Sequence, residues 1–481
     1  MLGSLVASGY LRRIDGARGC GLSRLPTWCA LAFALAAAGC FDKVTAPSCR
    51  LLSDCPAGYV SCEDGYCFTD SACTARAPVA GDLCCAETDG DRSADTDCLT
   101  LDAPLSAVSL TCPATGDDGT LWVAGTSLAG GANVRVWQVS PKGVVARAVQ
   151  VGPGAVTLPA LLTAGGSLYA AYPTGVVRYK ASDLTEADVA IPTLTPPVGG
   201  LVAGTGGSGT VVAWPTADSP VGHVFLYDED QKTFSSHEGG ATGDAFAPFV
   251  TAAGDSMFVM WKSGVLVRVA FSGKVGLAGK VALETGETAI GPPVEVGGTV
   301  WAPLRRLDGS EGFAAWTVDA ENLDLRRKQN WTLALDGAIA GRPLVDSVGY
   351  VVVAYRDGKL ALAREVGDVG SYVATGDFGT SLADLAPLLM ADGRVVAIAE
   401  GGKTVVSLNR IAGASGPAFK AGMRFDLQVE AVTSPALAAG RLAFGTAAHG
   451  VIGYVFPGFL AAVGFPKDGG DAGNTGRAGA L

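Results

Sequence analysis

The stretch AFAPFVTAAGDSMFVMWKSGVLVRV, residues 245–269, decides the fold because its pattern returns seven more times along the chain. Each copy reads as a proline, a short apolar run, a glycine-containing tight turn, a β-rich run such as Met257 to Trp261, a second turn and another alternating run. Runs of this kind between glycine turns make a meander of short antiparallel strands. The marking prolines are Pro113, Pro159, Pro197, Pro248, Pro293, Pro343, Pro387 and Pro435, spaced 46 residues apart on average. That period suits four strands of about 5 to 6 residues joined by connections of about 2 to 6. A sheet that is apolar on both faces, as in VVVAY at 351–355, cannot cover itself and must stack on its neighbours; a closed ring of such sheets leaves only short outer edges. The expectation is an all-β, eight-bladed β-propeller of four-stranded antiparallel blades over residues 101–465.

The run that recurs once per unit falls at Leu121 to Ala124, Ser167 to Tyr172, Thr210 to Trp214, Met257 to Trp261, Thr299 to Ala302, Tyr350 to Tyr355, Arg394 to Ala399 and Arg441 to Gly445. The first repeat is the most degraded. A ring must join its ends, so the strand near Leu101 to Leu110 is expected to pair with the run around Gly450 to Phe456 in a shared final blade. On this reading two decoys disappear. Gly204, Gly206 and Gly209 match G-x-G-x-x-G, but run straight into the strand TVVAW with no helix to receive a pyrophosphate, so they are a turn. Residues 442–465 carry no formal charge, yet the crowded glycines and the eighth repeat make them blade strands.

Composition narrows the class. With 48% hydrophobic and 17% charged residues and 67 glycines, the 481-residue chain can bury a large core punctuated by turns. Its net charge is −11, and an acidic surface of that size argues against a phosphate-backbone partner. Nucleic acid is excluded as an expectation.

Ahead of the repeats lies an export pattern. A basic stretch ends at Arg24, and the uncharged run WCALAFALAAAG at 28–39 leads to Cys40; 12 residues are too few to span a bilayer, which takes about 20. Ala37-Ala38-Gly39-Cys40 resembles the lipobox of bacterial lipoproteins, with Ala37 standing where that family prefers leucine. The resemblance implies that residues 1–39 are a lipoprotein signal peptide and that Cys40 becomes an acylated N-terminus in the bilayer. Several acyl chains, each contributing about 0.8 kcal/mol per buried CH₂, would make attachment long-lived. Phe41 after Cys40 favours the outer over the inner membrane of a cell envelope.

Residues 40–100 form an acidic neck crowded with cysteine. In an exported chain, Cys49, Cys55, Cys62, Cys67, Cys73, Cys84, Cys85 and Cys98 read as a disulfide framework for a segment too short and polar to build its own core, leaving Cys112 as the odd one. The spacing CRLLSDCPAGYVSCEDGYC resembles EGF-like knots. Zinc is the competing use, but the paired C-x₂-C form is missing. The aspartates of DGDRSADTD at 89–97 lack the turn glycine and the closing glutamate of a calcium loop, so they are taken as solvated linker. No metal is expected.

The pattern P-x-L-x-x-x-G-x-[VL]-[YVW], followed by a strand ending at an acidic turn as in VFLYDED and WTVDAEN, resembles the PQQ-like propeller repeat. That superfamily includes quinoprotein dehydrogenases and the outer-membrane lipoprotein propeller that assists barrel assembly. The tail, Phe465-Pro466-Lys467-Asp468 to Asn474-Thr475-Gly476, resembles a signature found beside such repeats; residues 466–481 are expected to be flexible. A PQQ enzyme would stack its quinone on tryptophan and hold calcium. Here Trp122, Trp214, Trp261, Trp301 and Trp316 sit in the repeats, where packing explains them, and no stretch matches the family's tryptophan-docking pattern. His223, His237 and His449 are read as falling in different repeats. No catalytic residue is nominated and no cofactor is expected. The reading is a non-catalytic scaffold for an envelope protein or glycan partner; the alternative is a PQQ-dependent or other propeller oxidoreductase.

Overall fold

The computed structural model describes residues 99–455, apart from several loops within that range, and two short strands before it. Every regular element among the described residues is a β-strand. Eight antiparallel sheets follow one another along the chain, each a meander of four strands, and together they form the eight-bladed propeller. We number the blades from the N-terminal end. Their second strands are Leu121–Ser127, Ser167–Tyr172, Thr210–Pro215, Ser256–Trp261, Thr299–Arg305, Val351–Ala354, Val395–Ala399 and Arg441–Thr446. All eight coincide with the recurrent β-rich runs.

The marking prolines have a physical role in this arrangement. Phe249–Val250, directly after Pro248, pairs with the start of the second strand, while Ala245, just before it, bridges to Trp261 at the strand's end. The same two-part pairing flanks Pro343, Pro387 and Pro435, through the bridges of Ile339, Leu382 and Ala431. Proline has no N–H to give to a ladder. It therefore splits the first strand of the blade and lets the chain bend there. The first and second strands are buried, Ser256–Trp261 along its whole length, whereas fourth strands such as Thr233–Glu238 are largely exposed. Burial thus runs from the first strand inward to the fourth strand at the rim.

Blade 8 is shared between the chain's two ends. Ala436–Ala438, Arg441–Thr446 and Gly450–Val455 supply three strands, and Leu99–Ala103 supplies the fourth, with Ala103 opposite Val451 and Leu99 opposite Tyr454. Closure therefore uses the expected segments, with one refinement. Of the run Leu101 to Leu110 only the beginning closes the ring, because Ala107–Leu110 crosses to blade 1 and pairs with Leu121–Ser127. The uncharged run from Leu442 forms blade strands, and Gly204 to Gly209 links two strands of blade 3.

Packing follows the aromatic residues. Trp214, Trp261, Trp301, Trp316 and Trp331 are fully buried, and Trp301 meets Trp331 edge-on at 4.7 Å. The largest apolar cluster is continuous across blades 4 to 7. Cys112 lies at the junction of blades 1 and 8, its thiol donating to the Ser434 carbonyl at 3.4 Å.

Cys40, the tail and all eight neck cysteines other than Cys62 and Cys67 lie outside the described residues. Those two sit in the hairpin Ser61–Glu63 with Tyr66–Phe68 and are register partners.

Candidate functional site

The outer hairpins, which join third and fourth strands, differ around the ring. In blade 3 they are His223–Asp228 and Thr233–Glu238, of 6 residues each. In blade 6 they lengthen to Lys359–Val366 and Val369–Asp377, and in blade 7 to Thr404–Gly413 and Gly416–Asp426, of 10 and 11 residues.

The added length lies across the preceding blade. A Cβ placed on Gly376 of blade 6 would stand 2.9 Å from both Leu408 and Phe419 of blade 7, so only glycine permits that approach. Arg410 of the blade 7 hairpin reaches the buried carboxylate of Asp346 in blade 6, and its guanidinium lies 5.0 Å from the Tyr350 ring centroid. Asp346 also accepts the backbone N–H groups of Val348 and Tyr350 at 2.9 and 2.7 Å. Blade 6 repeats the arrangement one step back. Gly370 abuts Trp331 and Leu333, Glu365 pairs with Lys328, and the Tyr372 hydroxyl donates to the Ala334 carbonyl of blade 5. Blade 5 provides the ledge by adding Leu333–Ala334 as a second segment against its third strand.

Between these overlapping hairpins lies a solvent-open cleft of about 810 Å³, bounded by Leu335 and Asp336 of blade 5, Tyr355, Lys359, Tyr372 and Asp377 of blade 6, and Phe419 of blade 7. Its polar groups are organised. The Tyr355 and Tyr372 hydroxyls are 2.9 Å apart, and Tyr355 accepts the Asp336 N–H at 3.5 Å. The Lys359 ammonium stands between Asp357 and Asp336, at 3.2 and 3.4 Å. Burial pushes both tyrosines above the usual phenol range, and Tyr372 rises further through its bond to Tyr355. Hydrogen bonds donated to Asp357 and Asp336 hold Lys359 above the ordinary amine value. At neutral pH the two phenols stay protonated and the amine stays charged. Such groups bind and orient; they are poorly placed to exchange protons.

A second polar cluster joins blades 2 and 3. Glu229, in the acidic turn of VFLYDED, accepts from Ser167 at 2.8 Å and Arg178 at 2.5 Å, and Arg178 also donates to Ser167 at 3.0 Å. The neighbouring Tyr169 phenol is raised by burial and by the Glu229 carboxylate. Its contacts are internal to the core, which makes it a connection between blades.

The structure corrects the reading of the histidines. His223 and His237 belong to one blade, on adjacent strands, with His223 opposite Glu238 and Val224 opposite His237. Neighbouring register positions point to opposite faces, so the two imidazoles do not converge. Burial holds His237 below the usual histidine value. Among the described residues no three of His, Cys, Asp and Glu gather as metal ligands, and no helix is long and apolar enough to cross a membrane. The repeat tryptophans named in the sequence are core residues, as their positions suggested.

Sequence reasoning passed over the cleft. Its residues are spread from Leu335 to Phe419, and the one available signal was the unusual length of alternating sequence between Thr404 and Asp426.

No family model and no curated protein matches the sequence. Solved structures do share its form. The chain is similar to the computationally designed protein Ika8, at 14% identity over 74% of this chain and 99% of that one, with a TM-score of 0.52. It is similar to Sqt1 from Chaetomium thermophilum, at 12% identity over 75% and 98% of the two chains, with a TM-score of 0.53. BamB from Moraxella catarrhalis aligns at 14% identity over 73% and 99%, with a TM-score of 0.47. At such identities the likeness to Ika8 and Sqt1 is one of fold alone: this chain is a β-propeller.

Proposed function

We propose that this protein is a lipid-anchored envelope component whose propeller is a non-catalytic scaffold for a partner protein or glycan. The observation that carries the scaffold reading is the overlapping hairpins of blades 6 and 7. They extend well beyond what closing the ring requires, and they frame an open cleft whose phenols and amine keep fixed protonation. Long connections held on a rigid frame are where binding surfaces concentrate. Support for anchoring comes from the lipobox-like Ala37-Ala38-Gly39-Cys40.

Cross-linking in the native envelope followed by recovery of the tagged protein is expected to return one reproducible partner, and its absence would count against the scaffold. For the anchor, Cys40→Ala is expected to end labelling by an alkyne fatty acid and to release the protein from membranes. Persistent labelling of that variant would show the lipobox reading to be wrong.

A further inference from the structure

The cleft between blades 5, 6 and 7 has a charge and shape that select one kind of occupant. Asp336 and Asp377 line the cleft with Lys359, the one cation among its lining residues, which pairs with Asp336 and with Asp357 beside it. Lys359 and Asp377 are register partners on adjacent strands, so the carboxylates flank one short stretch of sheet. Phe419 enters from the blade 7 side and Tyr372 from the blade 6 hairpin, putting two aromatic rings beside the acidic groups. Both tyrosine hydroxyls are already engaged with each other, with the Ala334 carbonyl and with the Asp336 N–H. Asp336 accepts from Lys359 through Oδ2 and Asp377 accepts the Gly379 N–H through Oδ1, so ring surface and the other carboxylate oxygens are what the cleft offers a guest. Carboxylates bind a guanidinium or ammonium through charge-assisted hydrogen bonds, and aromatic faces attract the same cations. The volume of about 810 Å³ falls within the range of about 300 to 1,000 Å³ typical of sites that engulf a compact ligand. It suits a few side chains better than a whole domain.

We propose that this cleft is a docking site for a basic segment of a partner protein, with an arginine or lysine side chain entering between Asp336 and Asp377 and lying against Phe419. The proposal rests on the scaffold reading and makes it specific. Lys359 opposes the guest's charge, so it weakens binding while keeping the empty cleft from being wholly negative.

The test uses the full chain and a fluorescein-labelled peptide, acetyl-Gly-Arg-Leu-Arg-Gly-amide, with a glutamate-for-arginine peptide as its counterpart, read by fluorescence anisotropy. The arginine peptide is expected to bind and the glutamate peptide not to. Asp336→Asn with Asp377→Asn should weaken binding by about tenfold for each carboxylate removed. Lys359→Ala should act in the opposite sense and tighten it about threefold. Asp230→Asn, in blade 3, should change nothing. Equal affinity in all variants, equal binding of the glutamate peptide, or displacement by a neutral oligosaccharide would overturn the proposal. A photocrosslinking residue placed at position 419 or at exposed Leu307 separates this idea from the broader one. An envelope adduct at 307 with none at 419 leaves the scaffold standing and removes the cleft; adducts at neither position count against both.

Discussion

Blades 3 and 7 are built on the same four-stranded plan, and both bury an ion pair against the neighbouring blade, yet they do it with different parts. Blade 3 uses its turn: Glu229 follows directly after the third strand and reaches Arg178 of blade 2. Blade 7 uses the body of a longer hairpin, with strands of 10 and 11 residues against 6 and 6, and Arg410 reaches Asp346 of blade 6 from inside the third strand. The short version is sufficient to hold two blades together. The extra residues of blade 7 therefore serve something beyond ring closure, and one of them, Phe419, lines the cleft.

The comparison can be broken most severely at the ring itself. Deleting residues 450–481 removes the strand that Leu99–Ala103 pairs with and should yield aggregate through two unpaired edges. Replacing 411–418 by a two-residue Asn-Gly turn should leave a soluble, fully β-folded protein. Size-exclusion chromatography and far-UV circular dichroism distinguish the outcomes; a soluble monomer from the first deletion would show that closure does not depend on blade 8.

A smaller effect separates the two ion pairs. Asp346→Asn leaves Arg410 beside a neutral amide, and Glu229→Gln does the same to Arg178. Each should cost about 3 kcal/mol in urea unfolding, since breaking a buried pair strands the other charge. Only Asp346→Asn should also speed hydrogen exchange in the blade 7 hairpin. Equal exchange in both variants would mean that Arg410 does not hold that hairpin in place.

The smallest effect is set by pH. Glu287 takes two hydrogen bonds from Arg327, at 2.5 and 2.7 Å, and these, ahead of charge attraction and against burial, hold its carboxyl below the usual value. A depressed folded value means that the stabilisation is complete above the unfolded carboxyl value of about 4.3 and is lost as pH falls through the folded one. The wild type should therefore lose about 1 kcal/mol more than Glu287→Gln on going from neutral pH to below about pH 4. Parallel melting curves for the two proteins over that range would remove this contribution.

How much of this was readable beforehand depends on the range of the interaction. The blade count came from proline spacing because Pro248 and its counterparts occupy a position where the backbone must forgo a hydrogen bond, a purely local constraint. The second strands were legible for a similar reason: a run such as Ser256–Trp261, buried on both faces, has to be apolar throughout. Even the Ser167–Arg178 contact left a trace, since Ser256 and Arg268 repeat it in blade 4 at 3.1 Å. The cleft left almost none. Asp336, Lys359 and Phe419 come from three blades, and each is unremarkable in its own neighbourhood. The histidines were misread through repeat boundaries, because His223 and His237 both fall between Pro197 and Pro248.

The shared blade also sets an order of events during synthesis. Leu99–Ala103 is the first of the described propeller strands to leave the ribosome, and its partner Gly450–Val455 is the last of them, roughly 350 residues later. Until then the earliest strand has no partner in its own sheet, and blade 1 has no completed neighbour on that side. Contacts of such long sequence separation are slow to form, because the loop entropy must be spent before the pairing returns it. Seven blades can assemble in passing as the chain emerges, but the ring locks only after the final one. The nascent protein thus spends most of its synthesis as an open arc with two sticky ends, the interval in which a chaperone has the most to protect.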